Sequence, residues 1–197
     1  MKKKVKIICT LGPSSLNTHF LEYANKNVDL LRLNMSHLDI SQLKKNIAFI
    51  KKRTNCPICI DTEGAQIRSK YEKRKFYKKK STLYIKKNKN NTFGLYPDYI
   101  QDKLKLNDTL NIGFEGLKVK IVKKNNKFLL TKVINEGYLE GNKGIHLENR
   151  KIKLKCLTEK DKEAIKIGKL NNINNFALSF TNTLNDVKYF NDLTDNK

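Results

Sequence analysis

The 197-residue chain is 39% hydrophobic, which is enough for a sizeable core and excludes wholesale disorder. No stretch approaches the ~18 consecutive apolar residues that a membrane helix needs, and no export signal precedes Thr10. We therefore expect a cytoplasmic protein with no membrane partner, in which the four cysteines are reduced. The formal net charge of +22 would attract polyanions at low salt.

Lysine and asparagine dominate the polar composition, with 36 Lys and 24 Asn against only 5 Arg. This bias is typical of an AT-rich genome. Arginine, which is preferred for bidentate contacts with phosphates and bases, is not enriched. We therefore rank a basic nucleic-acid-binding function behind the alternatives given below.

The net charge is spread unevenly, at +7 over residues 1–68, +15 over 69–156 and zero over 157–197. The middle segment is also rich in strand-forming residues, whereas helical patterns flank it. A composition step of this kind predicts an inserted domain. We thus expect residues 1–68 and 157–197 to form one α/β region that is interrupted by a β-rich domain, 69–156.

In the first segment, short apolar runs alternate with amphipathic stretches. Val5–Thr10, Leu30–Leu33 and Pro57–Ile60 are predicted strands. Asn17 is a predicted N-cap for one helix, and Asp39 or Ser41 for another. Strand, helix, strand, helix, strand is the signature of parallel βαβ units.

The middle segment has a different pattern of short strands broken by glycines, typical of a small antiparallel barrel or sandwich. Asn125-Asn126 is a predicted hairpin turn, and Phe76, Tyr77 and Tyr84 are interpreted as core residues of this domain. The predicted strands are Leu83–Ile85, Leu110–Ile112, Leu117–Val122, Phe128–Ile134 and Ile152–Leu154.

Helical periodicity returns in the last segment. Thr158 is a predicted N-cap, with Glu159 and Asp161 in the positive first turn. A fourth strand, Phe176–Phe180, and a terminal helix from about Asn185 are predicted to follow.

Polar side chains gather where the predicted parallel strands end, which is where α/β folds place their chemistry. Asn34, Ser36, Asp61 and Thr62 offer only oxygen ligands and one negative charge, a set that suits a hard cation of low charge. Arginines at the same ends suit a phosphate or carboxylate; they are Arg32 and Arg68.

Cys56 and Cys59 have the spacing of a redox motif. They fall at the start of a predicted strand, however, and not at a helix N-terminus, where the thiolate would be stabilised. We interpret them as buried structural cysteines.

Six runs in the right order along the chain resemble pyruvate kinase. They are Lys6–Ser15, Arg32–His37, Asp61–Arg68, Gly141–Ile145, Leu157–Asp161 and Ala177–Phe180. The resemblance implies an α/β fold: a partial (β/α)₈ TIM barrel containing the first four strands, with an inserted small all-β barrel called the B domain. It also implies phosphoryl transfer from phosphoenolpyruvate to ADP in glycolysis, with K⁺ and Mg²⁺ as cofactors.

The same resemblance implies roles for individual residues. Arg32 would bind the transferring phosphoryl group of the substrate. Arg68 and Lys143 would meet the nucleotide phosphates, with Asn34 and His37 nearby in the nucleotide-binding site. K⁺ would be held by Asn34, Ser36, Asp61 and Thr62. Glu63 stands where the family usually has lysine, which would reverse a charge near the nucleotide.

The family places its catalytic lysine and Mg²⁺-binding carboxylates on strands after the fourth, which the 197 residues do not include. We therefore expect the lone chain to be inactive and to need a second chain, or a homodimer mate, to complete the barrel. One alternative is a non-catalytic relic or a module that binds a nucleotide or phosphorylated metabolite. A basic nucleic-acid-binding protein is the further alternative.

Overall fold

A computed structural model describes residues 5–70, 73–87 and 92–195. The chain divides into two compact units, residues 1–65 with 155–197 and residues 66–154. In chain order the elements are β1 (Ile8–Thr10), α1 (Thr18–Asn27), β2 (Leu30–Asn34), α2 (Ile40–Lys51), β3 (Ile58–Asp61), β4 (Ile67–Lys70), β5 (Lys75–Tyr77), β6 (Thr82–Lys86), β7 (Gly94–Tyr96), α3 (Ile100–Lys103), β8 (Thr109–Ile112), β9 (Leu117–Lys124), β10 (Phe128–Asn135), β11 (Gly137–Leu139), β12 (Gly144–Leu147), α4 (Glu159–Leu170), β13 (Asn175–Ala177) and α5 (Leu184–Thr194).

The first unit is built on a four-stranded sheet in the order β1-β2-β3-β13. All three pairings are parallel, and their register sets Thr10 beside Arg32, Asn34 beside Asp61 and Asp61 beside Ala177. The βαβ pattern predicted from the sequence is therefore confirmed. The carboxyl ends of these strands lie side by side.

Side-chain caps begin the helices of this unit where the sequence predicts them. The Asn17 side chain accepts a hydrogen bond from the Phe20 amide, which starts α1. Asp39 and Thr158 each form a reciprocal capping box with the third helical residue, at the start of α2 and α4. A cap satisfies amide groups that the first helical turn leaves unpaired.

The core of this unit lies between the sheet and the apolar stripes of the helices. Leu31, Leu33 and Ile60 of the sheet are fully buried, as are Leu21 of α1 and Leu43 of α2. Each large aliphatic side chain buried in this way stabilises the fold by about 1.5–3 kcal/mol. The i, i+3, i+4 spacing that predicted the helices thus also selects the side that they bury.

The second unit is built on an antiparallel sheet of seven strands in the order β6-β10-β9-β8-β12-β4-β7. The amide of Lys86, at the end of one edge strand, donates to the carbonyl of Phe93 beside the other, at 2.8 Å. The sheet is therefore nearly closed into a barrel. Strands β5 and β11 form a separate antiparallel ribbon. The prediction of an all-β domain is wrong in one detail, because this unit contains the single helical turn α3.

Four of the five strands predicted for this unit are present, and the Asn125 side chain caps the predicted hairpin turn through the amides of Lys127 and Phe128. The fifth prediction is wrong: Ile152 and Leu154 form no strand. They pack against the core outside any strand, where burial and not sheet pairing accounts for their apolar character.

The interpretation of three aromatic residues as core is wrong for two of them. Phe76 is 42% exposed and Tyr84 is 47% exposed, whereas Tyr77 packs against the core. Alternation along β6 explains Tyr84, since Leu83 and Ile85 point inward and their neighbours point outward.

In the described part of the chain, no helix is both long and apolar enough to cross a membrane.

Candidate active site

Two side chains from adjacent strands form an ion pair at the carboxyl end of the parallel sheet. The guanidinium of Arg32 on β2 donates through Nε, at 2.9 Å, and through Nη2 to the Oδ2 atom of Asp61 on β3. Its Nη1 atom donates to the Thr10 hydroxyl at 2.7 Å. Asp61 is buried, while Arg32 keeps about a third of its side chain exposed. The guanidinium of Arg32 is therefore partly exposed to solvent, while the buried carboxylate of Asp61 holds it in place.

The segment just after β13, the fourth strand of the parallel sheet, supplies a further contact to this cluster. The Ser179 hydroxyl donates to Oδ1 of Asp61 at 2.8 Å, and its amide donates to the Thr62 hydroxyl at 3.0 Å. The predicted residues Arg32, Asp61 and Thr62 are thus brought together, and Ser179 joins them. Oδ2 of Asp61 already accepts two hydrogen bonds from Arg32, whereas Oδ1 accepts one from Ser179 and has one lone pair left over.

Asn34, Ser36 and His37 lie at and just after the end of β2. A single 3₁₀ turn, Met35–His37, follows the strand, and the Asn34 side chain starts it by accepting the Ser36 amide at 3.0 Å. Asn34 and His37, together with Thr10, Gly12 and Pro13, line a cavity of about 680 Å³. That volume is within the usual range for a small-molecule site.

A buried charged network that no local sequence pattern predicts fixes the turn after β3. Glu63 is 3% exposed and accepts hydrogen bonds from the Thr158 hydroxyl, at 2.7 Å, and from Lys160, at 2.5 Å. Lys160 also donates to the Met35 carbonyl at 2.8 Å. The expected reversal of charge at position 63 is therefore offset by a lysine of α4.

Asp161 anchors the same turn from the N-terminus of α4. It is fully buried, and its two carboxylate oxygens accept the amides of Glu63, at 2.8 Å, and Gly64, at 3.2 Å, besides capping the helix at Thr158. Burial raises the pKa of Asp161, and these amide hydrogen bonds offset only part of that effect. The capping pattern of Thr158 and Asp161 is visible in the sequence, but their contact with residues nearly a hundred positions earlier is not.

Gly64 is required by the close approach of two chain segments. Its φ is +67°, and a β-carbon would lie 2.2 Å from the Ser179 carbonyl oxygen. Phe180, the next residue, also adopts a left-handed φ of 56°. Strained backbone of this kind is concentrated at functional sites.

The cysteines agree with a structural role. Cys56 and Cys59 are buried and unbridged. Burial raises the pKa of the Cys59 thiol, and nearby Asp61 adds to the effect. A thiol with a raised pKa is a poor nucleophile at neutral pH.

Arg68 and Lys143, the other predicted nucleotide contacts, belong to the second unit and lie near each other. Arg68 on β4 is the register partner of Gly144, and its Nη1 atom donates to the Asn142 carbonyl at 3.2 Å. Lys143 forms an ion pair with Glu140 at 2.8 Å. The described residues contain no group of three or more His, Cys, Asp or Glu side chains placed to hold a metal ion.

Comparison with models of known protein families assigns the chain to a family. The family model described as "Pyruvate kinase, barrel domain" matches residues 2–197. The chain belongs to the pyruvate kinase family. The resemblance seen in the six sequence runs is thereby confirmed.

Individual relatives in this family agree. The chain is 31% identical over 199 residues to pyruvate kinase from Buchnera aphidicola subsp. Schizaphis graminum, covering 94% of this chain and 41% of that protein. It is 31% identical over 205 residues to the Geobacillus stearothermophilus enzyme, covering 95% and 34%. The crystal structure of Cryptosporidium parvum pyruvate kinase shares the fold, with a TM-score of 0.86 at 24% identity over 96% of this chain and 42% of that one. The chain thus spans well under half the length of these relatives.

Proposed function

We propose that this chain supplies the first part of a pyruvate-kinase-type active site, which moves a phosphoryl group from phosphoenolpyruvate to ADP. The observation that carries the proposal is the convergence of Arg32, Asp61, Thr62 and Ser179 at the carboxyl ends of neighbouring parallel strands. Phosphoryl transfer depends mainly on positioned charge around the transferring group. A site of this type needs a cationic side chain held in a fixed position. The guanidinium of Arg32, which is bonded to Asp61, meets that need.

In this proposal the four-stranded sheet is the first half of a (β/α)₈ barrel. Its strands are parallel and follow their order in the chain, as in such barrels. Both edge strands are short, and Ile8 on β1 is 59% exposed. Further strands, from a second chain or a homodimer mate, would pair with these edges and cover the exposed side chains.

Substrate binding would use Arg32. Its Nε and Nη2 atoms are held by Asp61 and its Nη1 atom by Thr10, which orients the guanidinium before any ligand arrives. Donors beyond those bonds remain for an incoming phosphate, because a guanidinium carries five N–H groups. Preorganisation of this kind lowers the entropic cost of binding.

The oxygen ligands at and around Asp61 suit K⁺. Asn34, Ser36, Asp61 and Thr62 would hold the ion through oxygens only, with a single negative charge among them, and such a set suits a weakly charged hard cation. Bound K⁺ would add positive charge beside the phosphoryl group. The Glu63–Lys160–Asp161 network would keep the turn that carries Thr62 in place. We assign none of these residues to Mg²⁺.

The cavity beside Asn34 and His37 supports a nucleotide site in the same unit. Separately, Arg68 and Lys143 of the second unit offer neighbouring cations that would suit nucleotide phosphates. The same cavity also favours the second candidate function, a non-catalytic module that binds a nucleotide or phosphorylated metabolite, because binding needs only the groups present in these 197 residues.

Calorimetric titration of phosphoenolpyruvate into the purified chain tests the proposal, in KCl and in tetramethylammonium chloride. We expect binding that requires K⁺ and that weakens at least about tenfold in Arg32→Lys, since lysine cannot form the bidentate fork. Arg53→Lys is the matched control, because Arg53 bonds to Thr18 and Phe49 away from the cluster. Equal affinities in the two variants would contradict the assignment of Arg32.

Turnover separates the two candidate functions. The chain is assayed for pyruvate formation by itself and mixed with a polypeptide that carries the later strands of the Buchnera enzyme. We expect activity only in the mixture. Ligand binding with no activity in either arm would favour the binding module, and activity of the isolated chain would refute the expectation that it is incomplete.

A further inference from the structure

An aromatic pair, with one ring half-exposed and the other partly buried, lies on the outer side of the barrel sheet in the second unit. Tyr84 of β6 and Phe128 of β10 contact each other edge to face, with ring centroids 5.4 Å apart and an interplanar angle of 66°. Tyr84 is 47% exposed, although an aromatic ring of this size normally gains by burial. The pair leaves a ring surface open to a ligand.

Four lysines share this outer side with the aromatic pair. Lys86 is the register partner of Phe128, and Lys123 is the partner of Leu130, which in turn lies opposite Tyr84. Residues directly opposite each other in a sheet point to the same side. The aromatic–lysine face comprises Tyr84, Phe128, Lys86, Lys120, Lys123 and Lys132.

Two of these lysines repel each other. Lys132 of β10 lies directly opposite Lys120 of β9, and like charges at such a position destabilise a sheet. Among the residues that the structure describes, no carboxylate forms an ion pair with any lysine of this face, whereas Lys70, Lys87, Lys118 and Lys143 of the same unit are each paired with an acid. A genome rich in lysine codons explains the number of lysines, whereas the strand register places Lys120 directly opposite Lys132 on the same side of the sheet as the aromatic pair.

We propose that the aromatic–lysine face binds single-stranded nucleic acid. A single strand brings a phosphate at every nucleotide, which would relieve the repulsion between Lys120 and Lys132, and bases whose faces can stack on Tyr84 and Phe128. In a duplex the base faces are already stacked on one another, and a lipid headgroup or an acidic peptide offers charge without a ring. Small antiparallel barrels present such sheet faces to oligonucleotides. The proposal is independent of the proposed phosphotransferase function, since it uses none of the residues assigned to that function.

Fluorescence anisotropy with labelled oligonucleotides of about 12 nucleotides tests the binding, at salt concentrations up to about 0.15 M. We expect oligo-dT and oligo-rU to bind more tightly than either polyphosphate of equal charge or duplex DNA. With four lysines in contact, the slope of log K against log salt should be about −3. Equal binding of polyphosphate and single strands would overturn the role of the aromatic pair. Binding only to anionic vesicles would overturn the choice of nucleic acid.

Paired variants locate the site. Lys120→Ala/Lys132→Ala should reduce the magnitude of the salt slope by about 1.4. The control Lys44→Ala/Lys45→Ala removes the same charge from exposed positions of α2 in the other unit and should change it little. If both double variants lower the affinity equally, binding follows net charge and the proposed face is refuted.

The aromatic contribution is tested in the same way. Tyr84→Leu should weaken binding to oligo-dT at least about fivefold, whereas Tyr23→Leu, at an exposed position of α1, should not. Circular dichroism checks that each variant is folded. Because Tyr84 is half exposed and its side chain is outside the core, the leucine variant is expected to fold. An unchanged affinity in Tyr84→Leu would refute stacking at this site.

Discussion

The two units bury apolar cores of similar size but treat charge in opposite ways. The first unit buries three carboxylates, Asp61, Glu63 and Asp161, all at or next to the turn after one strand. In the described part of the second unit, Asp108 is the one buried carboxylate. That unit carries 23 basic and 8 acidic residues, against 18 and 11 in the first, so its excess charge lies mainly on its surface.

This difference shows what each kind of charge can indicate. A buried ion has to be paired and hydrogen-bonded to be tolerated, so three carboxylates gathered at one strand end point to a site. A surface lysine costs little, so its presence reflects composition. Only its arrangement, as in the aromatic–lysine face, carries information about a ligand.

The largest effect is expected at the buried pair of the second unit. Arg150 donates through Nε and Nη2 to the two oxygens of Asp108, at 2.9 and 2.7 Å. Arg150→Gln should lower the free energy of unfolding at neutral pH by about 3–5 kcal/mol, because it leaves a buried carboxylate without its cation. Urea unfolding followed by circular dichroism measures the change.

The pH dependence sharpens the same test. Burial by itself would raise the pKa of Asp108, but the hydrogen bonds from Arg150 and the Lys105 amide lower it overall. A carboxylate with a lowered folded-state pKa stabilises the protein above its unfolded pKa of about 4, and that contribution is lost as the pH falls through the folded value. The wild type should therefore lose more stability than Arg150→Gln on acidification. Parallel losses in the two proteins would show that Asp108 is not the group responsible.

A slightly smaller effect is expected at the Glu63 network of the first unit. Lys160→Met should cost about 3 kcal/mol, the low end for a broken buried pair, because the Thr158 hydroxyl still bonds to Glu63. Lys162→Met is the control on the same helix, since its pair with Glu159 is exposed and should matter little. If the two variants unfold alike, the first unit does not depend on its buried charge, and the contrast between the units fails.

The smallest effect has the opposite sign. Lys132→Gln removes the repulsion with Lys120 and should raise the free energy of unfolding by about 0.2–1 kcal/mol at low salt. The gain should fade at high salt, which screens surface charges. Destabilisation by Lys132→Gln would mean that the lysine has a favourable contact in the free protein.

Local patterns predicted the first unit well. Alternating apolar runs and caps at Asn17, Asp39 and Thr158 act over a few residues, so the sequence contains all the information needed. The second unit was predicted less completely. Strands such as β5, β7 and β11 have three residues each and are held by partners far along the chain, so no local periodicity marks them.

The candidate site likewise has one part that the sequence predicts and another that it does not. Arg32, Asn34, Asp61 and Thr62 are visible because they lie at or just after the ends of predicted strands, and parallel pairing places such ends together. Ser179 lies within the predicted fourth strand, Phe176–Phe180, but no local pattern predicts the hydrogen bond from its hydroxyl to Asp61. Lys160 and Glu63 bear opposite charges that the sequence separates by nearly a hundred residues.

By itself, the sequence determined the family, the βαβ order and the residue types at the strand ends, because each of these depends on neighbours along the chain. Only the tertiary structure decided that Glu63 is neutralised by Lys160, that Asp161 holds the turn after β3, and that Tyr84 faces solvent among unpaired lysines. Those outcomes depend on register and burial, which arise when distant segments meet and exclude water from between them.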